Sequence, residues 1–235
     1  QYKTLEYEYD LISGNVNKVS YQKGKSDQYY HKYCYDADNR IIEALTSKDD
    51  LLWDNDADYF YYLHGPLART EIGEEKVQGM DYAYTIHGWL KGINSNNITS
   101  TLQADIGKDG ISGALYAYNP SVNDVHDNLA RDAYGFGLSY YEDSVDDDYQ
   151  SISVNGDNFL TDINSLSIQP NNLYNGNIRQ MATSLMNQNE ALLEVQATNY
   201  GYDQLNRLIG MEAYAGDGNY TCLLYTSDAA DDLVC

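Results

Sequence analysis

The chain has 235 residues and carries 36 Asp and Glu against 14 Lys and Arg, a formal net charge of −22. Nucleic acids and acidic membrane surfaces would repel such a chain, because their binding needs clustered basic residues. No run of about 18 apolar residues is present to span a bilayer. The charge therefore argues against a nucleic-acid partner; it keeps a surface rich in aromatic residues soluble or, as the alternative, attracts a basic protein.

The composition predicts a β protein. Tyrosine accounts for 25 residues and proline for only 3, so strand-forming aromatics are abundant and residues that remove a ladder donor are scarce. Eighteen glycines supply turns, and a hydrophobic content of 43% suffices for a sizeable core. We expect an all-β fold of antiparallel hairpins with at most one or two short helices.

Two aromatic residues separated by one position recur along the chain, and the first three copies start 26 residues apart. A repeated period-two pair followed by turn residues is typical of a strand that enters a hairpin. The pairs are Tyr7 and Tyr9, Tyr33 and Tyr35, Tyr59 and Tyr61, Tyr82 and Tyr84, and Tyr200 and Tyr202.

A turn residue follows each pair at a near-constant distance. It is Gly14, Asn39, Gly65, Gly88 or Asn206, and these residue types predict positive φ. Three copies also place an acid directly after the second tyrosine, at Asp10, Asp36 and Asp203. The first copy is one residue longer, which we expect a β-bulge to absorb.

In the two best copies, Arg40 and Arg207 follow the turn residue and are followed by Ile41 and Leu208. This motif resembles that of the RHS family, or YD-repeat proteins, approximately Tyr-x-Tyr-Asp-x-x-Gly-Arg-Leu. Pro66 and Trp89 replace the arginine in two degenerate copies. Recognisable copies cover residues 7–93 and 200–214, and residues 94–199 resemble the long insert of bacterial members.

The resemblance implies a curved antiparallel sheet that is part of a large β shell. Family members of this kind enclose a C-terminal effector, often a toxin, and are exported or surface-associated. No Asp-Pro self-cleavage motif occurs in the chain. We therefore expect a structural, non-catalytic piece of shell wall, secreted or at the cell surface, whose partner is the rest of the same polypeptide.

The repeats suggest four regions: hairpins in 1–93, a mixed insert in 94–199, a final repeat in 200–221 and a tail in 222–235. The tail resembles translated sequencing adapter and is expected to be non-native. The sequence begins at Gln1 rather than at an initiator methionine, so we expect a fragment of a longer protein.

Along the chain, the patterns predict strands at about 4–10, 16–22, 28–35, 40–46, 58–64 and 82–91. Further strands are expected at 133–141 and as a hairpin over 178–186 and 191–202, with a helix as the alternative for 178–197. A helix is also predicted at 121–131, where apolar residues recur at three and four positions.

The sequence offers no catalytic residues and no cofactor site. Residues 54–58 alternate acids as calcium loops do, but Tyr59 and Gly65 stand where glycine and glutamate are required. A weaker calcium hypothesis concerns Asp143, Asp146, Asp147 and Asp148. His64 and His87 precede turn glycines, so we expect them to bind turn carbonyls rather than to catalyse.

A second function class remains open. Rows of exposed tyrosines could bind carbohydrate or a cell surface, and a glycan-active hydrolase is a third interpretation. The direction of the tyrosines separates the classes, because a binding module needs several rings exposed along one groove, whereas a wall uses them as packing.

Overall fold

The computed structural model describes residues 2–94, 107, 109, 126, 129–141, 172–186, 193 and 195–214, and the backbone of 220–226. Strands and turns make up the regular structure of these residues, which include no helix. Every recorded strand pairing is antiparallel. The prediction of an all-β fold is confirmed.

The chain divides into two compact units, and the boundary falls between Met80 and Asp81. Residues 128–130 also belong to the first unit. Within the first unit, successive strands are neighbours in chain order. They are β1 Leu5–Tyr9, β2 Val16–Tyr21, β3 Tyr29–Tyr35, β4 Ile41–Ser47, β5 Asp54–Tyr61 and β6 Leu67–Ile72.

The second unit follows the same rule of chain order. Its strands are β7 Gln78–Tyr84, which begins before the boundary, β8 Leu90–Ile93, β9 Tyr134–Ser139, β10 Gln180–Leu185, β11 Gln196–Tyr202, β12 Leu208–Tyr214 and β13 Tyr220–Thr226. Strand β13 pairs with β12 and includes residues 222–226 of the predicted non-native tail.

Several predicted element bounds are wrong. The strand expected at 58–64 is β5, which ends at Tyr61 because Tyr62 already closes the turn. The single strand expected at 82–91 is the end of β7 and the start of β8, separated by a turn. The helix considered for 178–197 is also wrong, since β10 and β11 pair there. Most of the helix expected at 121–131 lies outside the described residues.

Few large apolar side chains are fully buried in the described residues. Ala182 and Ala197 are 0% exposed, and Tyr30 and Tyr140 are nearly so. Polar residues such as Ser20 and Ser184 are buried as well. The described part of the chain thus lacks the sizeable core that the composition suggests, because its strands cover one another mainly through cross-strand contacts.

Candidate functional site

The described structure contains five copies of one hairpin, and the two strands of each copy pair in the same register. The second tyrosine of each copy faces a branched apolar residue, and the register skips the residue after that one, as it skips the extra residue of a β-bulge. The facing pairs are Tyr9 with Val16, Tyr35 with Ile41, Tyr61 with Leu67, Tyr84 with Leu90, and Tyr202 with Leu208.

The turns close with a common pattern of backbone hydrogen bonds. In the second copy the N–H of Asp36 donates to the carbonyl of Arg40 at 2.9 Å, and the N–H of Asn39 donates to the carbonyl of Asp36 at 3.1 Å. Asn39 and Asn206 have φ of 62° and 61°. Positive φ is observed at all five predicted turn positions, with Gly65 at 115°.

The first copy accommodates its extra residue in the turn. Its closing bond runs from the N–H of Asp10 to the carbonyl of Asn15 at 2.8 Å, one residue further than in the other copies. A register shift follows Glu8 here, but an equivalent shift occurs in every copy. The expectation that a bulge absorbs the extra residue is therefore wrong, because the bulge belongs to the repeat itself.

The motif acid organises the turn through both carboxylate oxygens. Asp36 Oδ1 accepts the N–H groups of Asp38 and Arg40, and Oδ2 accepts the Arg40 Nε at 2.7 Å. The backbone N–H and guanidinium of Arg40 hold the pKa of Asp36 below its usual value despite an opposing effect of burial. Asp203 and Arg207 repeat this arrangement, with Nε to Oδ2 at 2.6 Å.

The fourth copy, one of the two degenerate ones, keeps part of this chemistry. Thr85 stands at the acid position of the fourth copy, and its hydroxyl oxygen accepts the N–H of Trp89 at 3.1 Å. That bond reproduces the one from the Arg40 N–H to Asp36. A hydroxyl acceptor thus replaces one carboxylate oxygen where the arginine is lost.

In three of the five copies, the second tyrosine also connects the hairpin to the one before it. Tyr35 Oη donates to the carbonyl of Val16 at 2.8 Å, and Tyr61 Oη donates to the carbonyl of Ile41 at 2.7 Å. Tyr202 Oη donates likewise to Ile178 at 3.0 Å. We call these bonds, together with the one from Tyr140 described next, the tyrosine ladder.

The ladder reveals a copy that the motif search missed. Tyr140 Oη donates to the carbonyl of Leu90 at 2.7 Å, and Leu90 is the residue that faces Tyr84. Ile178 stands at the apolar position of this copy, two residues after Gly176 with its φ of 88°, and its carbonyl accepts the ladder bond from Tyr202. Residues 142–171 separate the two halves in the sequence, so the spacing that defines the other copies is absent.

Asparagine side chains join neighbouring turns at two places, and at the second of them Asn206 Oδ1 also accepts a hydrogen bond from Asn175 Nδ2 at 2.8 Å. Asn15 Nδ2 donates to Asn39 Oδ1 at 3.0 Å, and Asn177 Nδ2 donates to Asn206 Oδ1 at 3.0 Å. Of the donors, Asn15 and Asn177 each follow a positive-φ glycine and stand at the motif's arginine position. The sequence signal is a Gly-Asn turn followed by a hairpin whose turn residue is asparagine.

The histidines of the turns contact aromatic rings. The His64 ring stacks on Tyr62 with centroids 5.2 Å apart, and the His87 ring lies 5.1 Å from that of Trp89. The predicted hydrogen bonds to turn carbonyls stay a prediction. The acids of residues 54–58 lie in β5, where Asp56 accepts the Thr46 hydroxyl at 2.9 Å.

The described residues were also searched for metal-binding clusters and for membrane-spanning helices. Within them, no group of three or more His, Cys, Asp or Glu could hold a metal ion. Asp143, Asp146, Asp147 and Asp148 lie outside the described residues. In the ranges described above, no helix is long and apolar enough to cross a membrane.

An open cleft of about 270 Å³ lies on the first unit and is lined by Glu8, Asn17, Lys18, Lys32, Asp50 and Trp53. Lys18 Nζ lies 3.1 Å from Glu8 and 3.0 Å from Asp50. The ammonium of Lys32 lies 5.8 Å from the centre of the Trp53 ring. The cleft thus combines an indole ring with hydrogen-bonding groups of balanced charge.

No family model matches the chain, and no curated protein matches it. Among solved structures, it is similar to chains of TcdB2-TccC3-TEV at 10% identity and a TM-score of 0.38, and of TcdB2-TccC3 at 12% identity and a TM-score of 0.35. The matches cover 94% and 98% of this chain and 9% and 13% of those chains. This chain spans about a tenth of their length, and these values assign it to no family.

Proposed function

We propose that the chain is a structural repeat module without catalytic activity, the wall of a secreted or surface shell that encloses a C-terminal effector. The observation that carries the proposal is the tyrosine ladder. Each ladder bond connects a hairpin to the turn of the preceding one, so the side chain fixes the order and register of successive hairpins. A sheet built in this way extends by adding further copies.

The partial burial and the hydrogen bonds of the motif tyrosines favour a wall over a binding surface made of exposed tyrosine rings. The rings of Tyr35, Tyr61 and Tyr202 are partly buried, and burial raises the pKa of each phenol. Their hydroxyls are occupied by backbone carbonyls. Rings held in this way pack between hairpins and offer little free surface to a sugar.

The test requires the complete reading frame around this sequence. We expect further Tyr-x-Tyr-Asp copies and an unrelated C-terminal domain that resists protease in the intact protein. The triple variant Tyr35→Phe, Tyr61→Phe, Tyr202→Phe should speed digestion of that domain, whereas the control Tyr33→Phe should not. A reading frame without another domain, or a domain digested at the same rate when separated from the wall, would contradict enclosure.

A second candidate function, saccharide binding, rests on the cleft rather than on tyrosine rows. Sugar rings stack on aromatic faces and bond to carboxylates and amides, and Trp53, Asp50 and Asn17 supply these groups. Tryptophan fluorescence on titration with neutral and acidic oligosaccharides tests it. A saturable change that disappears in Trp53→Ala would support the candidate, and unchanged emission with every sugar would oppose it.

A further inference from the structure

The cleft on the first unit is lined by side chains from one face of the sheet and from one connecting segment. Glu8, Lys18 and Lys32 face one another across β1, β2 and β3, so their side chains project to the same side. Asp50 and Trp53 belong to the segment between β4 and β5 and line the same cleft. The charged groups and the indole ring are thus brought together by strand pairing and by one turn.

The segment between β4 and β5 is held in place by local hydrogen bonds. The Ser47 hydroxyl accepts the N–H of Asp50 at 3.0 Å and donates to Asp49 Oδ1 at 3.1 Å, and Ser47 is only 2% exposed. Asp49 Oδ1 also accepts the N–H groups of Leu51 and Leu52, each at 2.9 Å. The cleft therefore forms before a ligand arrives, which lowers the entropic cost of binding.

The two lysines of the cleft differ in their partners. Lys18 Nζ lies 3.1 Å from Glu8 and 3.0 Å from Asp50. Lys32 stands opposite Lys18, where like charges are destabilising, and no carboxylate among the described residues lies within ion-pair distance of it. Its ammonium is 5.8 Å from the centre of the Trp53 ring, close to the limit of about 6 Å for a cation–π contact. Lys32 is thus able to bind an incoming anion.

We propose that the cleft binds an oligosaccharide through one sugar residue that carries a carboxylate. This inference deepens the second candidate function proposed above, saccharide binding, and rests on it. The apolar face of the sugar ring would stack on Trp53, and the carboxylate would bind the Lys32 ammonium. Sugar hydroxyls would donate to Asp50 and accept from the side-chain amide of Asn17.

The charge of the chain limits the ligand to an isolated carboxylate. Glu8 and Asp50 lie in the cleft itself, and a net charge of −22 repels a densely charged polymer. The cleft volume of about 270 Å³ is also near the lower end for small-molecule sites. A short oligosaccharide with one acidic residue among neutral ones fits both conditions.

An acidic peptide is a poorer occupant of the cleft. Strands β2 and β3 each pair with a neighbour on both sides, so their main-chain groups are engaged within the sheet. Peptides that bind to sheets use the main-chain groups of an unpaired edge. An indole face together with side-chain hydrogen-bonding groups suits the apolar face and the hydroxyls of a sugar instead.

The experiment titrates the full chain with a trisaccharide whose central residue is glucuronate and with its glucose analogue, which differs only at C6. Tryptophan emission reports binding. We expect the glucuronate form to bind about fivefold more tightly, which is the upper end for an exposed ion pair. Sodium chloride at about 1 M should remove this preference, because the screening length is then about 3 Å.

Two lysine variants test the position of the carboxylate. Lys32→Gln should bring the affinities for the two trisaccharides within about twofold of each other. The matched control is Lys23→Gln, an exposed lysine in the turn between β2 and β3 with the same change in net charge. This control should keep the preference for glucuronate.

A preference that only Lys32→Gln and salt remove would support the proposal. Equal affinity of the unmodified chain for both trisaccharides, or loss of the preference in Lys23→Gln as well, would overturn the acidic ligand and leave saccharide binding in place. Unchanged emission with both trisaccharides, or a response that persists in Trp53→Ala, would overturn both. Tighter binding of a peptide with isolated glutamates would assign the cleft to a peptide and overturn the proposal.

Discussion

The hydroxyl of Tyr61 donates a 2.7 Å hydrogen bond to the carbonyl of Ile41, which faces Tyr35 in the preceding hairpin. Arg40, the residue before Ile41, lies over the Tyr61 ring at 4.6 Å from its centre. One tyrosine thus contacts both the turn arginine and the first strand residue of its neighbour. The motif residues act between copies as well as within them.

Removal of one hydrogen bond of the tyrosine ladder should lower the stability of the first unit. Tyr35→Phe deletes the donor to the Val16 carbonyl and keeps the ring, so we expect a loss of about 1 kcal/mol in the free energy of unfolding. Urea denaturation followed by circular dichroism measures it. Tyr33→Phe, for which the structure records no hydroxyl hydrogen bond, should stay within about 0.5 kcal/mol. Equal losses for both variants would contradict the role of the ladder.

The asparagine contact between turns should appear as an energetic coupling. Asn15→Ala and Asn39→Gly each remove one partner, and glycine keeps the positive φ of 62° at position 39. We expect a coupling energy of about 0.5 kcal/mol in a double-mutant cycle on unfolding free energies. The control cycle combines Asn39→Gly with Asn177→Ala, a residue of the second unit, and should be additive. Coupling of similar size in both cycles would exclude a direct contact.

The motif acid should make stability depend on pH in the acidic range. Because the pKa of Asp36 is lowered in the folded chain from its usual 3.8, its contribution is complete above that value and is lost as the pH falls through the folded pKa. We expect Asp36→Asn to lower the Tm at pH 7 and the difference from the unmodified chain to shrink below pH 3.8.

The control for this pH series is Asp54→Asn, an exposed carboxylate of β5 for which the structure records no hydrogen bond. Its Tm should follow that of the unmodified chain at every pH. A difference for Asp36→Asn that stays constant down to about pH 2 would show that the carboxylate charge contributes nothing.

The positive-φ position of the fourth copy should accept asparagine better than alanine. Gly88 has φ of 80°, and an added Cβ would meet no atom within 4 Å. The cost of Gly88→Ala is therefore that of the backbone conformation alone, about 1–2 kcal/mol. Gly88→Asn should cost clearly less, since asparagine occupies this position in two other copies. Thermal unfolding compares the variants, and equal losses would argue against the conformational explanation.

Local chemistry made much of the repeat predictable. The period-two tyrosines, the acid and the turn residue lie within a few positions of one another, and each acts on its own hairpin. The five positive-φ positions follow from that pattern because few residues other than glycine and asparagine adopt this conformation readily. The end of β5 was misplaced since Tyr62, an aromatic residue, occupies the position that the acid holds elsewhere.

The hairpins, their turn conformation and the all-β class were predictable from the sequence, because they depend on neighbouring residues. Only the tertiary structure disclosed the tyrosine ladder, since its acceptors are backbone carbonyls that carry no residue signature and lie 19 or more positions away, as for Tyr35 and Val16. It also joined Tyr140 to the copy completed by Ile178.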